Sequence, residues 1–429
     1  MDTPIIARKE EKIKSGYAQY ENEWEKIVQT ILPGEIEEKA KELKSLERKR
    51  EVKSGVELIK VLLIYALEGL STRMLAVIGI AHRVADISDT AWRKHLIKSV
   101  VWLTWLLNAL LSKRNELPIL PSCKETECVQ RIYIIDASGI VQEGLNAKTY
   151  RIHMKYSLDS GKMTEAIVTD HHTGEGMQHF KANKDEIYLC DAGYGNTKQY
   201  EKAIGSGINV LLRINIRTFS VVDESGKRIN IVDKLSANTE AFEITGYTKD
   251  KKYPVRVVCV PLPAEKAAQM QVKKAKKARR KGRGVGKELL ESAKWLLLAT
   301  SLDKNWTIER LEKLYRARWQ IELLFKRIKQ NLNIGKIRAS SDKSAQAVIL
   351  LWLIAWAVSE ELSVEFVKNV PVGLLKNITI WMRDKLGFLA FLSILSNVSL
   401  LAVFDDFSIV RHLSDHPRIN RPRQSLVFS

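Results

Sequence analysis

Cysteine is scarce, with four in 429 residues, and none of the four is paired as CxxC or spaced with histidines as in a zinc site. That excludes a structural metal ribbon and a disulfide framework. Cys123, Cys128, Cys190 and Cys259 read instead as reduced, buried thiols of a cytoplasmic protein. Acids are in deficit as well: 50 Asp and Glu stand against 69 Lys and Arg, a net charge of +19. Such an excess favours a polyanionic partner, nucleic acid before an anionic surface. The opening "MDTPIIARKEEKIKSG" has no apolar stretch of the kind a signal peptide needs, so export is not expected. Long hydrophobic runs are few. "VVWLTWLLNALL" and "AVILLWLIAWAV" stop short of the roughly 18 residues a membrane span requires and read as core helices. "GFLAFLSILSNVSLLAVF" (Gly387 to Phe404) reaches that length but carries three Ser and an Asn, and no membrane is expected among the partners.

A chain of this length holds more than one domain and can bury a sizeable core. Residues 1–125 have helical periodicity throughout, and "LSTRMLAVIGIAHRVADISDTAWRKHL" offers Ser71 and Ser88 as caps of two short helices. A helix-turn-helix and, as the plainer reading, a small helical bundle whose polar face happens to be basic fit that pattern equally; 1–125 is expected to be a helical DNA-binding region. After Pro121 the pattern turns to short β-branched and aromatic runs: "RIYIID", "YRIHMKYSL", "KMTEAIVTD", "EIYLCDAGYG" and "NVLLRINI". They predict a mixed sheet over 126–215. "FSVV", "INIV", "FEITGY" and "VRVVCVPLP" predict further strands, and 216–290 is expected to be a β-rich insertion ending in a basic run. "WLLLAT" and a long helix from about Ile308 to Asn331 then resume the core over 291–345. Residues 346–429 are expected to be helical and apolar before a basic tail. The fold class is therefore α/β.

Two features suggest contact with a phosphate backbone or chemistry on it. The first is the cation run Lys273, Lys274, Lys276, Lys277, Arg279, Arg280 and Lys281, with no acid interleaved. The second is "YRARWQIELLFKRIKQ", where a lone Glu322 stands among cations. On one continuous helix at about 100° per residue, Tyr315, Arg318, Glu322 and Lys329 share a stripe about 60° wide bordering an apolar face. Such a stripe either looks into a cleft or is an ordinary surface of i, i+4 ion pairs. Asp136 and Asp191 each end an apolar strand and are followed by small residues. Each could be merely a turn residue. With Glu322, however, they make the oxygen-ligand set that Mg²⁺ takes beside phosphate, and two such ions serve phosphoryl transfer. Asp159, Asp170, Glu175 and Asp185 are rival acids, Asp170 foremost because His171 and His172 adjoin it.

The spacing Tyr315, two residues, Arg318, three, Glu322, six, Lys329, with "DASG" and "DAGYGN" upstream, resembles the Y-(2)-R-(3)-E-(6)-K signature of bacterial insertion-sequence DDE transposases. The resemblance implies a ribonuclease-H-like core interrupted by a β-rich insertion, with Asp136, Asp191 and Glu322 holding two Mg²⁺ ions, for which Mn²⁺ can substitute. It implies Arg318 and Lys329 on DNA phosphates, supported by Tyr315. Trp295 is placed like tryptophans that stack a flipped base in some members, and Trp319 lies near the same stripe; core packing is the other reading of both. The family often has Arg after the second Asp, where this chain has Ala192. The expected partners are double-stranded DNA and a second copy of the chain, at the nucleoid. A nuclease or resolvase without strand transfer, and a non-catalytic basic DNA-binding protein, are the alternatives.

Overall fold

The computed structural model describes residues 23–47, 51–112, 131–143, 148–170, 172–184, 186–332, 337, 339–368 and 380–395. The chain divides into two compact units. One comprises Met1–Lys113, Ile140–Tyr150 and Lys326–Ser429, the other Arg114–Gly139 and Arg151–Phe325.

The described part of the first unit is mainly helical. Ser54, Ser71 and Ser88 start the helices Gly55–Leu67, Thr72–Ala81 and Asp89–Lys98, each hydroxyl accepting from the backbone N–H three residues on. The two capping serines read from the sequence therefore do cap two short helices. The long helix Asp342–Lys368 packs on Gly55–Leu67, Val100–Ser112 and Ile380–Leu395. It is apolar nearly all round, and Ile349, Leu353 and Trp356 are fully buried. Burial of each such side chain contributes roughly 1.5–3 kcal/mol. The indole of Trp352 donates to Ala66 O at 2.9 Å, tying this helix to the end of Gly55–Leu67. Its segment Asp342–Ser363 is long and apolar enough to cross a membrane by length and composition, more than the sequence run alone indicated, yet 83% of its most apolar window is buried inside the protein. Of the Gly387–Phe404 run, residues 387–395 close the helix Ile380–Leu395 and the remainder lies outside the described residues.

The second unit is built on an eight-stranded mixed sheet. Its strands are β1 (Ile132–Val141), β2 (Thr149–Ser157), β3 (Lys162–Asp170), β4 (Ile187–Cys190), β5 (Asn209–Arg213), β6 (Phe242–Tyr247), β7 (Pro254–Pro261) and β8 (Trp295–Thr300), ordered β3-β2-β1-β4-β5-β8-β7-β6. β1, β4 and β5 run parallel, and β8, β7 and β6 continue the sheet antiparallel. The central parallel strands are buried on both faces, which is why "IYII", "IYLC" and "VLL" read as unbroken apolar runs instead of alternating ones.

The insertion contributes β6 and β7, a hairpin that pairs through β7 with β8 and extends the core sheet. One expectation is corrected here: "INIV" is no strand. Asn230 accepts from Val232 N at 3.1 Å and caps the helix Ile231–Ser236. "FSVV" contributes only isolated bridges, Val222 to Arg228 and to Tyr247.

Candidate active site

The register of β1 on β4 sets the first two carboxylates. Ile135 pairs with Cys190 as the last partners of a parallel ladder. β4 ends there while β1 runs on to Val141, so Asp136, in mid-strand, and Asp191, just past β4, are brought side by side where the ladder stops. Ligand sites of open α/β sheets lie at this carboxyl end. Asp136 accepts from Ala137 N at 2.8 Å within β1, and Asp191 from Gly193 N at 2.7 Å in the turn after β4. Burial pushes the Asp136 carboxyl up to about 7. The Ala137 N–H opposes that shift, the Asp191 charge adds to it, Arg318 opposes it, and Glu175 adds again.

The third carboxylate arrives on a broken helix, not on the single one expected. The helices are Ile308–Arg316 and Trp319–Asn331. Between them Ala317 N reaches Leu314 O, Arg318 N reaches Tyr315 O and Gln320 N reaches Ala317 O, all three-residue bonds that tighten the turn. The turn interrupts, between Tyr315 and Glu322, the continuous helix on which the four residues were placed. Arg318 and Glu322 still meet. The guanidinium of Arg318 contacts the Glu322 carboxylate with one nitrogen and approaches Asp136 Oδ2 at 3.4 Å with the other. Its side chain is 16% exposed, whereas that of Glu322 is 59% exposed. A cation thus stands between the first and third acids. Accordingly, among the described residues, no three acids, His or Cys are gathered into a cage that could hold a metal as they stand.

Tyr315 is buried and lies under Arg318, its ring centroid 5.9 Å from the guanidinium carbon; burial raises its hydroxyl to about 12. Lys329 is half-buried, and burial lowers its pKa. It belongs to the other compact unit. Trp319 is 52% exposed. Trp295 lies in β8 with its ring buried edge-on against Phe242 at 5.7 Å, which agrees with the core-packing reading over base stacking.

The cation run forms the last turns of the helix Ala264–Arg280. Lys273, Lys276, Lys277, Arg279, Arg280 and Lys281 are exposed. Lys274 is the exception and a correction. Its ammonium turns inward to Ser292 O at 3.1 Å and Ser292 Oγ at 3.3 Å, and burial pulls its pKa down to about 8.

Among the rival acids, Asp170 is spent on its own turn, accepting from Thr173 N and Oγ1 at 2.9 and 2.8 Å. Asp159 accepts from Ile132 N at 3.3 Å. His171 and Asp185 lie outside the described residues. Glu175 is the acid the sequence undervalued. It is close enough to Asp136 and Asp191 to interact electrostatically with both. A Cβ on Gly193 would run into the Glu175 carboxylate and come within 3.0 Å of Asp191 Oδ1. The small residue after the second Asp was the visible signal; what fills the space it leaves was not.

Residues 127–358 match the family model described as Transposase DDE domain. The chain is 30% identical over 344 residues, 77% of its own length and 91% of the relative's, to the protein named as transposase InsL for insertion sequence element IS186A of Escherichia coli (strain K12). It is also 30% identical over 345 residues, with the same two coverages, to the transposase for insertion sequence element IS421 of Escherichia coli.

Proposed function

The chain belongs to the transposase DDE domain family, and from that premise we propose that it cuts DNA at the terminal inverted repeats of its own insertion sequence and joins the freed 3′-hydroxyls to a target. Members of this family act on DNA with divalent metal ions. The observation that carries the reading is the side-by-side emergence of Asp136 and Asp191 from parallel strands, with Arg318 linking Asp136 to Glu322.

The residues fit such ions. Asp136 and Asp191 are hard oxygen donors whose charges repel, Arg318 already stands as a cation between Asp136 and Glu322, and the buried hydroxyl of Tyr194 has no partner. Asp136, Asp191 and Glu322 would hold two Mg²⁺ ions, with Mn²⁺ as a substitute. When bound, the ions neutralise charge on the phosphodiester and polarise the attacking and leaving oxygens. The protein supplies the rest. Arg318 gives up its hold on Asp136 and Glu322 and turns to the phosphate. Water attacks phosphorus at the element end and the 3′-oxygen leaves as a hydroxyl; that hydroxyl then attacks a target phosphodiester and displaces a target 3′-oxygen. Each step exchanges one P–O bond for another and needs no covalent link to the chain.

The exposed cations of Ala264–Arg280 and the helices Thr72–Ala81 and Asp89–Lys98 hold the DNA backbone, Arg93 and Lys94 being exposed on the second of these. Bringing two ends together calls for at least a homodimer, working at the nucleoid. The experiment is an in vitro reaction of purified chain, Mg²⁺, a labelled duplex carrying the element end, and a plasmid target. Joined product supports transposition. Cut donor with no joined product would favour a nuclease or resolvase.

A further inference from the structure

Behind Asp136 and Asp191 stand two side chains without an assigned role. Tyr194 is fully buried, and its hydroxyl has no hydrogen-bond partner. Burial raises its pKa, and Cys190, Asp136, Glu175 and Asp191 raise it further; its backbone N–H donates to Asp191 O at 3.2 Å, which sets it in the turn that carries the second acid. A buried hydroxyl left unpaired is costly, and such atoms mark places where water or a ligand completes the pairing. Glu175 is the second. Arg151 lies 3.8 Å from its carboxylate and also donates to Thr173 O at 2.5 Å, which holds the arginine against the turn that carries Glu175. Gly193, lacking a Cβ, leaves the gap through which Glu175 approaches Asp191.

We propose that Glu175 and Tyr194 are positioning residues of the catalytic centre, which hold the water around a divalent cation carried by Asp136 and Asp191 and thereby set the affinity for that cation. The inference rests on the metal-dependent reading above. These carboxylates repel one another unless a cation intervenes. Arg151 stands by Glu175 and Arg318 by Asp136, and a divalent ion between Asp136 and Asp191 would take the place that Arg318 leaves when it turns to phosphate. Tyr194 can donate to a water or accept from one; Glu175 can only accept while ionised. Together they offer the outer hydrogen bonds that orient bound water and that, in metal sites generally, change affinity by about 10- to 100-fold when removed.

The test is Mn²⁺ binding to the full chain without DNA, followed by electron paramagnetic resonance, with thermal unfolding measured in parallel. Tyr194→Phe removes only an oxygen that has no partner in the protein, so a purely structural role predicts unchanged or improved stability and unchanged Mn²⁺ affinity. We expect instead unchanged stability with Mn²⁺ affinity lowered about 10-fold or more, a similar loss for Glu175→Gln, and cleavage by both variants restored at high Mg²⁺. The exposed control Glu240→Gln should bind as wild type does. Wild-type affinity in Tyr194→Phe and Glu175→Gln, alongside lost binding in Asp191→Asn, overturns this proposal alone. Absence of Mn²⁺ binding by the wild type, or full binding by Asp191→Asn, overturns the metal-dependent reading and this proposal with it.

Discussion

Arg318 shows why the sixteen-residue cation-rich stretch holds one glutamate. The arginine, 16% exposed, spans Asp136 and Glu322, while its neighbour Arg316, 71% exposed, pairs with Glu312 one turn back. Arg318→Ala should cut cleavage by about 100-fold or more, the loss seen when a preorganised charge is removed from a reacting centre, with little change in unfolding temperature. Arg316→Ala should change stability by no more than about 1 kcal/mol and leave cleavage intact. Arg327 behaves differently, because its guanidinium donates at 2.7 Å to Asp384, a buried carboxylate. Arg327→Ala removes a charged hydrogen-bond donor from that buried carboxylate and should cost roughly 1.5–3 kcal/mol of stability in a urea titration. Two arginines of one stretch thus report on chemistry and on folding respectively. A third residue reports on pH. His153 is buried against His179, its ring centroids 4.4 Å apart, and burial, then His179 and Arg151, lower its pKa from 6.5 to about 4. The unfolded chain binds a proton at this group that the folded chain refuses, so its contribution to stability is present above pH 6.5 and declines as pH falls toward 4. The urea midpoint should drop between pH 7 and pH 5, and His153→Gln should flatten that slope.

At the scale of elements, the helix Ala264–Arg280 separates its cations into two kinds. Changing Lys273, Lys276, Lys277 and Arg280 to Gln should weaken DNA binding for every sequence and reduce the slope of log K against log salt by about 0.9 for each phosphate no longer neutralised. Lys274→Gln should leave the slope unchanged, since its ammonium faces Ser292. A second element, Ile380–Leu395, crosses Asp342–Lys368 at Gly387, where a Cβ would strike Ser359 O and sit 2.7 Å from Ser363 Cβ. Gly387→Ala should therefore lower the unfolding temperature even though alanine favours helix.

Which elements were legible follows the range of the forces that make them. Buried parallel strands and serine-capped helices are written in local composition, so β1, β4, β5, β8 and the helices after Ser71 and Ser88 could be read directly. Strand order depends on pairing across many residues, and nothing local in "FEITGY" says that it lies at the edge of the core sheet. "INIV" misled because β-branched residues outvoted an Asn cap, and the break at Ala317 misled because three-residue bonds leave no mark in a good helix-forming sequence. Asp191 could be found as a strand-end acid; Asp136 was found as the acid closing an apolar run, although its strand continues to Val141, and Glu175 is brought to Asp191 only by the fold.

For the molecule as a whole, the excess of positive charge, the side-by-side carboxylates and the family all point to one account: a DDE transposase whose basic surfaces hold DNA while three acids cut it. On the proposed reading binding and cutting are separable, because the residues assigned to phosphate and those assigned to metal are different. The most direct measurement places wild type, Asp136→Asn, Asp191→Asn and Glu322→Gln on the same labelled element-end duplex in Mg²⁺, reading retention by gel shift and strand cleavage by denaturing gel. The account predicts that all four retain the DNA within a few-fold and that only the wild type cleaves it. Cleavage near the wild-type rate by any one of the three variants would remove that carboxylate from the mechanism and contradict the account.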